Sequence, residues 1–283
     1  MKAFSSLHSL NTRRWVQRPD WLAAFGAGLA ACLLALLVNA LVSEVRPGSG
    51  WGRTYGALAV LLMIAAALLG VRRRTMRLSS RPIGRTQDWV QLHVYGGVLF
   101  LVLVLMHTGL RLPGTGFTAW LLALSVWVAV SGLLGVALRK WVPRLLTSSL
   151  SLEVLYERIP ELIEGLRPRC EALAATSATP VQDVYRRRLA KDLAGPRPRW
   201  IYFLDPKAGI QDRLRELDFL RRLLGPEDQG RLDELQALYR AKLEMDAHYT
   251  LQRALRWWLY GHIPVSFVLI LLVGIHVVTV LLY

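Results

Sequence analysis

Six histidines stand in the 283-residue chain: His8, His93, His107, His248, His262 and His276. Four lie in long uncharged stretches, and their spacing repeats. His93 and His107 are 14 residues apart, and so are His262 and His276. In an α-helix 14 residues turn through about 1400°, roughly 40° short of four turns, and rise about 21 Å. Each pair therefore occupies one side of its helix, with one imidazole towards either end. Two such helices running parallel would face imidazoles at two depths. Neutral imidazole is a good iron ligand, and porphyrin iron, with four in-plane nitrogens, needs two axial ligands that facing helices can supply. Bare zinc fits worse: two histidines leave a tetrahedral site short of ligands, and no carboxylate or cysteine lies at these depths. The competing explanation is that buried histidines hydrogen-bond across helices or serve a proton path. Two equal spacings favour paired haem ligation, His93 with His262 and His107 with His276.

The elements that must position these imidazoles are apolar spans. Hydrophobic residues make up 53% of the chain and charged residues 19%, with a mean hydropathy of +0.33. That balance is too apolar for an ordinary soluble domain. Five stretches free of charge can cross a hydrocarbon core, which takes about 20 helical residues. They are 21–43, 54–71, 89–110, 112–138 and 257–283. Trp21, Trp51, Trp89, Trp257 and Trp258 lie near their ends, where interfacial aromatics belong. Pro113, Gly114 and Gly116 mark a tight turn between the third and fourth spans. The first span is too long an apolar run for a cleavable signal peptide. The third and fifth spans are separated by one span and should run parallel, which sets His93 level with His262 and His107 level with His276.

The expected fold class is all-α: a polytopic membrane bundle of five transmembrane helices with a helical cytoplasmic insert. Its parts are a membrane region 1–138, an insert 139–256, and a fifth helix 257–283 that completes the haem bundle. The insert is a different material. It holds 22 Lys/Arg and 17 Asp/Glu, a net +5 of the chain's +15. The remaining +10 sits in short segments flanking the spans, a positive-inside pattern that needs no nucleic-acid partner. Lys2, Arg13, Arg14 and Arg18 precede the first span. Arg72, Arg73, Arg74, Arg77, Arg81 and Arg85 join the second to the third, and Arg139, Lys140 and Arg144 follow the fourth. The opposite loops carry Arg46, Arg53 and Arg111. The N-terminus and insert are therefore expected in the cytoplasm and Tyr283 near the outer, periplasmic face, in a bacterial inner membrane.

Within the insert, Leu152, Leu155, Ile159, Leu162 and Leu166 recur at helical spacing, as do Leu214, Leu217, Leu220 and Leu224. Gly225, Pro226 and Glu227 break the chain before a helix with Leu232, Leu235, Leu238 and Leu243, which can run on into the fifth span. The stretch Pro196–Pro206, with Trp200, Ile201, Tyr202, Phe203 and Leu204, is the one candidate extended segment and reads as small-domain core.

Gly96 and Gly97 follow His93 by one turn, and Gly261, Gly109, Gly274, Gly132 and Gly135 lie where a flat macrocycle needs room. Close helix packing explains such glycines equally well. Arg111, one turn beyond His107, suits the propionates of an outer haem, and Arg85 or Arg256 an inner one. Pro264 should kink the fifth helix beside His262. The second ring nitrogen of each ligand should donate to a backbone carbonyl or a Ser/Thr hydroxyl. His248 continues the 14-residue spacing, but Ser79 stands opposite it, so it reads as a surface or packing residue. His8 has no expected role.

The stretches LHVYGGVLFLVLVLMH, with His93 and His107, and GHIPVSFVLILLVGIH, with His262 and His276, resemble the paired-histidine spans of dihaem membrane b-type cytochromes. The cytochrome b of quinol–cytochrome c reductases and the ferric-reductase transmembrane domain share this plan. The resemblance covers about 90–110 and 257–283, and is specific for haem ligation rather than substrate. It implies a bundle with two low-spin b haems passing electrons across the membrane. The long insert departs from both families. Because the chain ends at Tyr283, where ferric reductases continue into a flavin and nicotinamide domain, direct reduction by NAD(P)H is not expected.

Cys32 and Cys170 cannot hold an iron–sulfur cluster, which takes four thiolates, and the sequence has no CxxCH, GxGxxG or P-loop. Redox partner subunits on one or both faces must then load and unload the haems, with quinone a candidate donor or acceptor. Two alternatives stay open at this point: a histidine-lined proton or metal transporter, and a haem-free membrane scaffold or sensor.

Overall fold

In a computed structural model the chain is all-α. It describes residues 19–42, 44–75, 85–113, 116–149 and 155–282. His8, the cluster Lys2/Arg13/Arg14/Arg18, Arg77, Ser79, Arg81, Gly114, Leu152 and Tyr283 lie outside them. Two compact units form: residues up to Val136 together with Tyr260 onward, and Ala137–Leu259.

The first unit contains α1 (Pro19–Val42), α2 (Gly50–Thr75), α3 (Thr86–His107), the start of α4 (Phe117–Ser149) and the end of α9 (Pro226–Leu282). Among the described residues these are the five helices long and apolar enough to cross a membrane. Much of their apolar surface points outward, including Leu33, Leu41, Trp127 and Phe267. Such a surface suits lipid, where helices satisfy their own backbone groups. Inside, Tyr55 and Ala59 of α2, Phe100, Leu103 and Met106 of α3, Leu121 of α4 and Leu269 of α9 form the core. The helix α1 lies against α3: Phe25 stacks on Tyr95 at 4.9 Å, and Trp21 donates to Asp88 at 3.2 Å. Buried Asn39 of α1 bonds the Tyr55 hydroxyl.

The end of α3 is built with care for His107, its last residue. Gly109 N–H reaches the Met106 carbonyl and Leu110 N–H the Leu105 carbonyl, a Schellman stop. Gly109 sits at φ 64°, and a Cβ there would collide with the Val45 carbonyl oxygen. Its glycine is thus required by the turn. The expectation that it makes room for a macrocycle is corrected.

The second unit packs α5 (Ile159–Ala175), α6 (Thr179–Val184) with its π-helical continuation Tyr185–Leu189, α7 (Ala190–Asp192), α8 (Pro206–Arg221) and the charged half of α9. Its core joins Cys170 and Ala174 to Leu189, Tyr202, Leu214, Leu217, Leu235, Tyr239 and Leu243. Each fully buried leucine contributes about 1.5–3 kcal/mol of transfer free energy. Asp205 caps α8 by accepting from Ala208 N–H at 3.0 Å.

Two expectations for this unit are corrected. Pro196–Pro206 is not extended throughout: Trp200–Phe203 is a 3-10 turn between extended Arg199 and Asp205. Tyr202 of that segment is fully buried, whereas Trp200 is 73% and Leu204 63% exposed, so only part of it is core. Of the two places expected for His248, surface or packing, the structure gives packing: it is buried. Leu155 precedes its helix and is exposed.

The same unit buries a closed set of charges. Lys242 and Asp246, one turn apart on α9, are fully buried and bonded at 2.7 Å. Asp246 also accepts from Arg197 N–H at 2.9 Å. Burial pushes the Asp246 carboxyl up and the Lys242 ammonium down, while their mutual attraction opposes both shifts. Asp192 accepts from the Tyr239 hydroxyl at 2.6 Å and from Arg213, with Arg197 at 3.2 Å. Burial raises its pKa, but the Tyr239 and Arg213 hydrogen bonds and the Arg213 and Lys242 charges prevail and hold it below the ordinary aspartate value.

Candidate functional site

The four apolar-span histidines meet in two pairs within the first unit. Ring centres of His93 on α3 and His262 on α9 are 6.2 Å apart with planes at 79°. Those of His107 and His276 are 6.4 Å apart with planes at 78°. A metal about 2 Å from a nitrogen of each of two facing imidazoles separates the ring centres by roughly 6.3 Å. Both pairs have that spacing.

Three of the rings have their tautomer set by their neighbours. His93 Nδ1 lies 3.0 Å from the Ala66 carbonyl oxygen and His107 Nδ1 2.8 Å from that of Gly52. A carbonyl only accepts, so each Nδ1 carries the proton and donates. His262 Nδ1 lies 2.8 Å from Ser131 Oγ. The Ser131 hydroxyl donates to the Val128 carbonyl at 3.2 Å, so its oxygen accepts the His262 proton. In all three, Nε2 then holds the lone pair a metal would use. At His276 the neighbour is the Phe117 ring, 6.3 Å away.

Around the His93/His262 pair lies a cavity between α2, α3, α4 and α9. It is walled by Ala66 and Ala67, Val94 and Gly97, Ala129 and Gly132, and Leu269 and Ile270. The cavity itself is small, about 100 Å³, below the ~300–1,000 Å³ of sites that enclose cofactor-sized molecules, so a macrocycle held there would extend beyond it. Ser266 is a polar wall residue, and its hydroxyl is turned to the His262 carbonyl at 2.7 Å. A Cβ on Gly97 would meet nothing within 4 Å, and one on Gly132 would lie 3.6 Å from His262 Cε1. Gly96 points elsewhere, towards Leu92 and Leu62. Cβ atoms on Gly261 and Gly274 would also meet open space.

At the other level the room is made by a glycine the sequence reading passed over. A Cβ on Gly56 would lie 2.9 Å from His107 Nδ1. Gly52 and Gly56 stand one turn apart on α2, and that small-xxx-small spacing was the available signal. Ser131 and the Ala66 carbonyl carried no comparable mark.

Among the described residues no group of three or more His, Cys, Asp or Glu side chains is placed to hold a metal ion. Each histidine pair thus offers two nitrogens, and a metal bound there must bring its other ligands, as porphyrin iron does. The apolar walls suit a porphyrin's faces. The expected propionate partners are placed less simply. Arg111 is exposed and paired with Glu44. Arg256 is paired with Glu157 and lies 4.2 Å over the Tyr156 ring in the second unit. Arg85 is exposed at the N-cap of α3. Arg72 is buried instead, donating to Thr86 Oγ1 at 3.1 Å beside the Trp89 ring. Pro264 stands inside α9, which continues through it. No family model, curated protein or solved structure matches this chain.

Proposed function

We propose that this chain is a dihaem b-type cytochrome, the membrane subunit of a larger oxidoreductase, and that it carries electrons between the two faces of a membrane. The observation that carries the reading is the double pairing: two imidazole pairs at the spacing of a bis-imidazole metal, with three of the four Nδ1 protons committed to protein acceptors. His93 and His262 would hold one haem b, and His107 and His276 the other. Bound there, the haems would supply one-electron carriers at two depths, about 21 Å apart along the helices.

The chain's own residues do the rest. The Ala66 and Gly52 carbonyls and Ser131 Oγ fix ring orientation and raise the basicity of the ligating nitrogen. The apolar cavity wall excludes water, and Gly97 and Gly132 leave it open beside the inner pair. Arg111 is the proposed propionate partner of the outer haem, for which it would leave Glu44.

In this reading the N-terminus and insert are cytoplasmic and the C-terminus is periplasmic. Redox subunits, with quinone a candidate carrier, would deliver and remove electrons. A reduced-minus-oxidised absorption spectrum of the purified protein tests the proposal. We expect the bands of low-spin b haem. A protein without a Soret band defeats the proposal and leaves the transporter or scaffold alternatives.

A further inference from the structure

We propose that the Trp200–Leu204 turn of the insert is an interfacial anchor that seats in the headgroup layer of an anionic bilayer. The argument needs the membrane reading of the apolar helices but not the haems. It begins on α4, where Trp141 follows the apolar stretch 112–138 by three residues and comes directly after Arg139 and Lys140. Trp141 is exposed, and its place just past a charge-free span beside two cations is that of an interfacial aromatic.

The turn is tied to that residue. The Phe203 ring centre lies 6.3 Å from that of Trp141. The segment leading into it is pinned from behind. Arg197 N–H is held by Asp246, Arg199 N–H by Thr250 Oγ1 at 3.1 Å, and Tyr202 is fully buried. With the backbone fixed this way, Trp200 and Leu204 remain 73% and 63% exposed. The fold of the unit gains nothing from presenting two large apolar side chains to water. Exposed Lys140 precedes Trp141, so that indole is neighboured by a cation, whereas Arg199 before Trp200 is turned to buried Asp192 at 3.7 Å. Indole with Lys or Arg is the chemistry of the membrane interface: the ring takes the carbonyl layer and the cation takes lipid phosphate. A soluble protein could also cover an apolar patch. Lipid is the better occupant, because the patch is joined to a residue at the mouth of a membrane span.

The test uses the full chain in nanodiscs of phosphatidylcholine and phosphatidylglycerol, with a nitroxide at Leu204→Cys and, as control, at exposed Gln211→Cys on α8. Cys32→Ala removes one native thiol. Cys170 is fully buried, and burial pushes its thiol up to about 11, so it stays unlabelled. Power saturation should show the label at 204 relaxed better by oxygen than by a water-soluble nickel chelate, with the reverse at 211. A Trp200→Cys label should agree with 204. The oxygen preference should shrink when phosphatidylglycerol is left out. Equal nickel access at 204 and 211 overturns the anchor and leaves a protein partner as the occupant. An unchanged preference in pure phosphatidylcholine overturns the role given to Lys140.

Discussion

In the insert, buried charges answer one another, although the Tyr202 hydroxyl and Nε of Arg188, Arg199 and Arg213 are buried without a hydrogen-bond partner. Lys242 and Asp246 neutralise each other, Asp246 also takes Arg197 N–H, and Asp192 gathers Tyr239, Arg213 and Arg197. In the membrane unit His93 and His107 are hydrogen-bonded to backbone carbonyls and His262 to Ser131, and the rings of each pair stand a metal's width apart. The contrast separates two uses of a polar group. Paired charges fix a fold, and imidazoles facing each other across an apolar gap describe a candidate site.

The comparison can be broken first in the insert. Lys242→Met leaves Asp246 buried without its counter-charge and should cost about 3–5 kcal/mol, read as a lower unfolding midpoint in denaturant titration. Lys242→Met with Asp246→Leu should recover most of that loss. If the single variant unfolds like the wild type, the network does not hold the unit together.

Gly56 and Gly132 sharpen the other half. Gly56→Ala sets a methyl 2.9 Å from His107 Nδ1 and must displace the ring from the Gly52 carbonyl, so the outer haem should be lost while the inner one stays. Gly132→Ala makes only ordinary contact, 3.6 Å from His262 Cε1, and should keep both. Haem content by absorbance decides, and equal loss in the two variants would remove the steric account.

A smaller effect is expected at Ser131→Ala. It removes the acceptor for His262 Nδ1 and should weaken retention of the inner haem about 10-fold, the usual loss when a ligand's hydrogen-bond partner is removed. Competition with an apo-haem acceptor measures it, with the outer haem as internal control.

The smallest effect is on pH. Asp192 is held below its ordinary pKa, so its contribution to stability is fully present above that value and is lost as pH falls through the lowered one. The insert should lose stability below about pH 4. Asp192→Asn should flatten that part of the melting-temperature profile, and an unchanged slope would assign acid sensitivity elsewhere.

How much of this was legible in the residues follows the same division. The five apolar helices could be read because charge-free runs of helical length have few other fates. The run-on of the insert into the last span could be read because no breaker separates Leu243 from Trp257. The 14-residue spacings gave the histidine pairs the structure brings together. What stayed hidden depends on tertiary placement. Lys242 and Asp246 at i, i+4 look like any solvated surface pair until burial is known. The carbonyls of Ala66 and Gly52 have no side-chain signature at all. Gly109 looked like room for a ligand because its turn role needs φ, which composition does not report. Trp200 and Leu204 looked like core because apolarity marks what prefers burial and does not show whether protein or lipid provides it.

The central claim is that two imidazole pairs each hold a haem iron. The most direct measurement is a pyridine haemochrome count per chain on the wild type beside His93→Ala and His276→Ala. The account predicts two b haems in the wild type and one in each variant, with the two variants keeping spectrally different haems. No haem in the wild type, or the same count in all three, would contradict it.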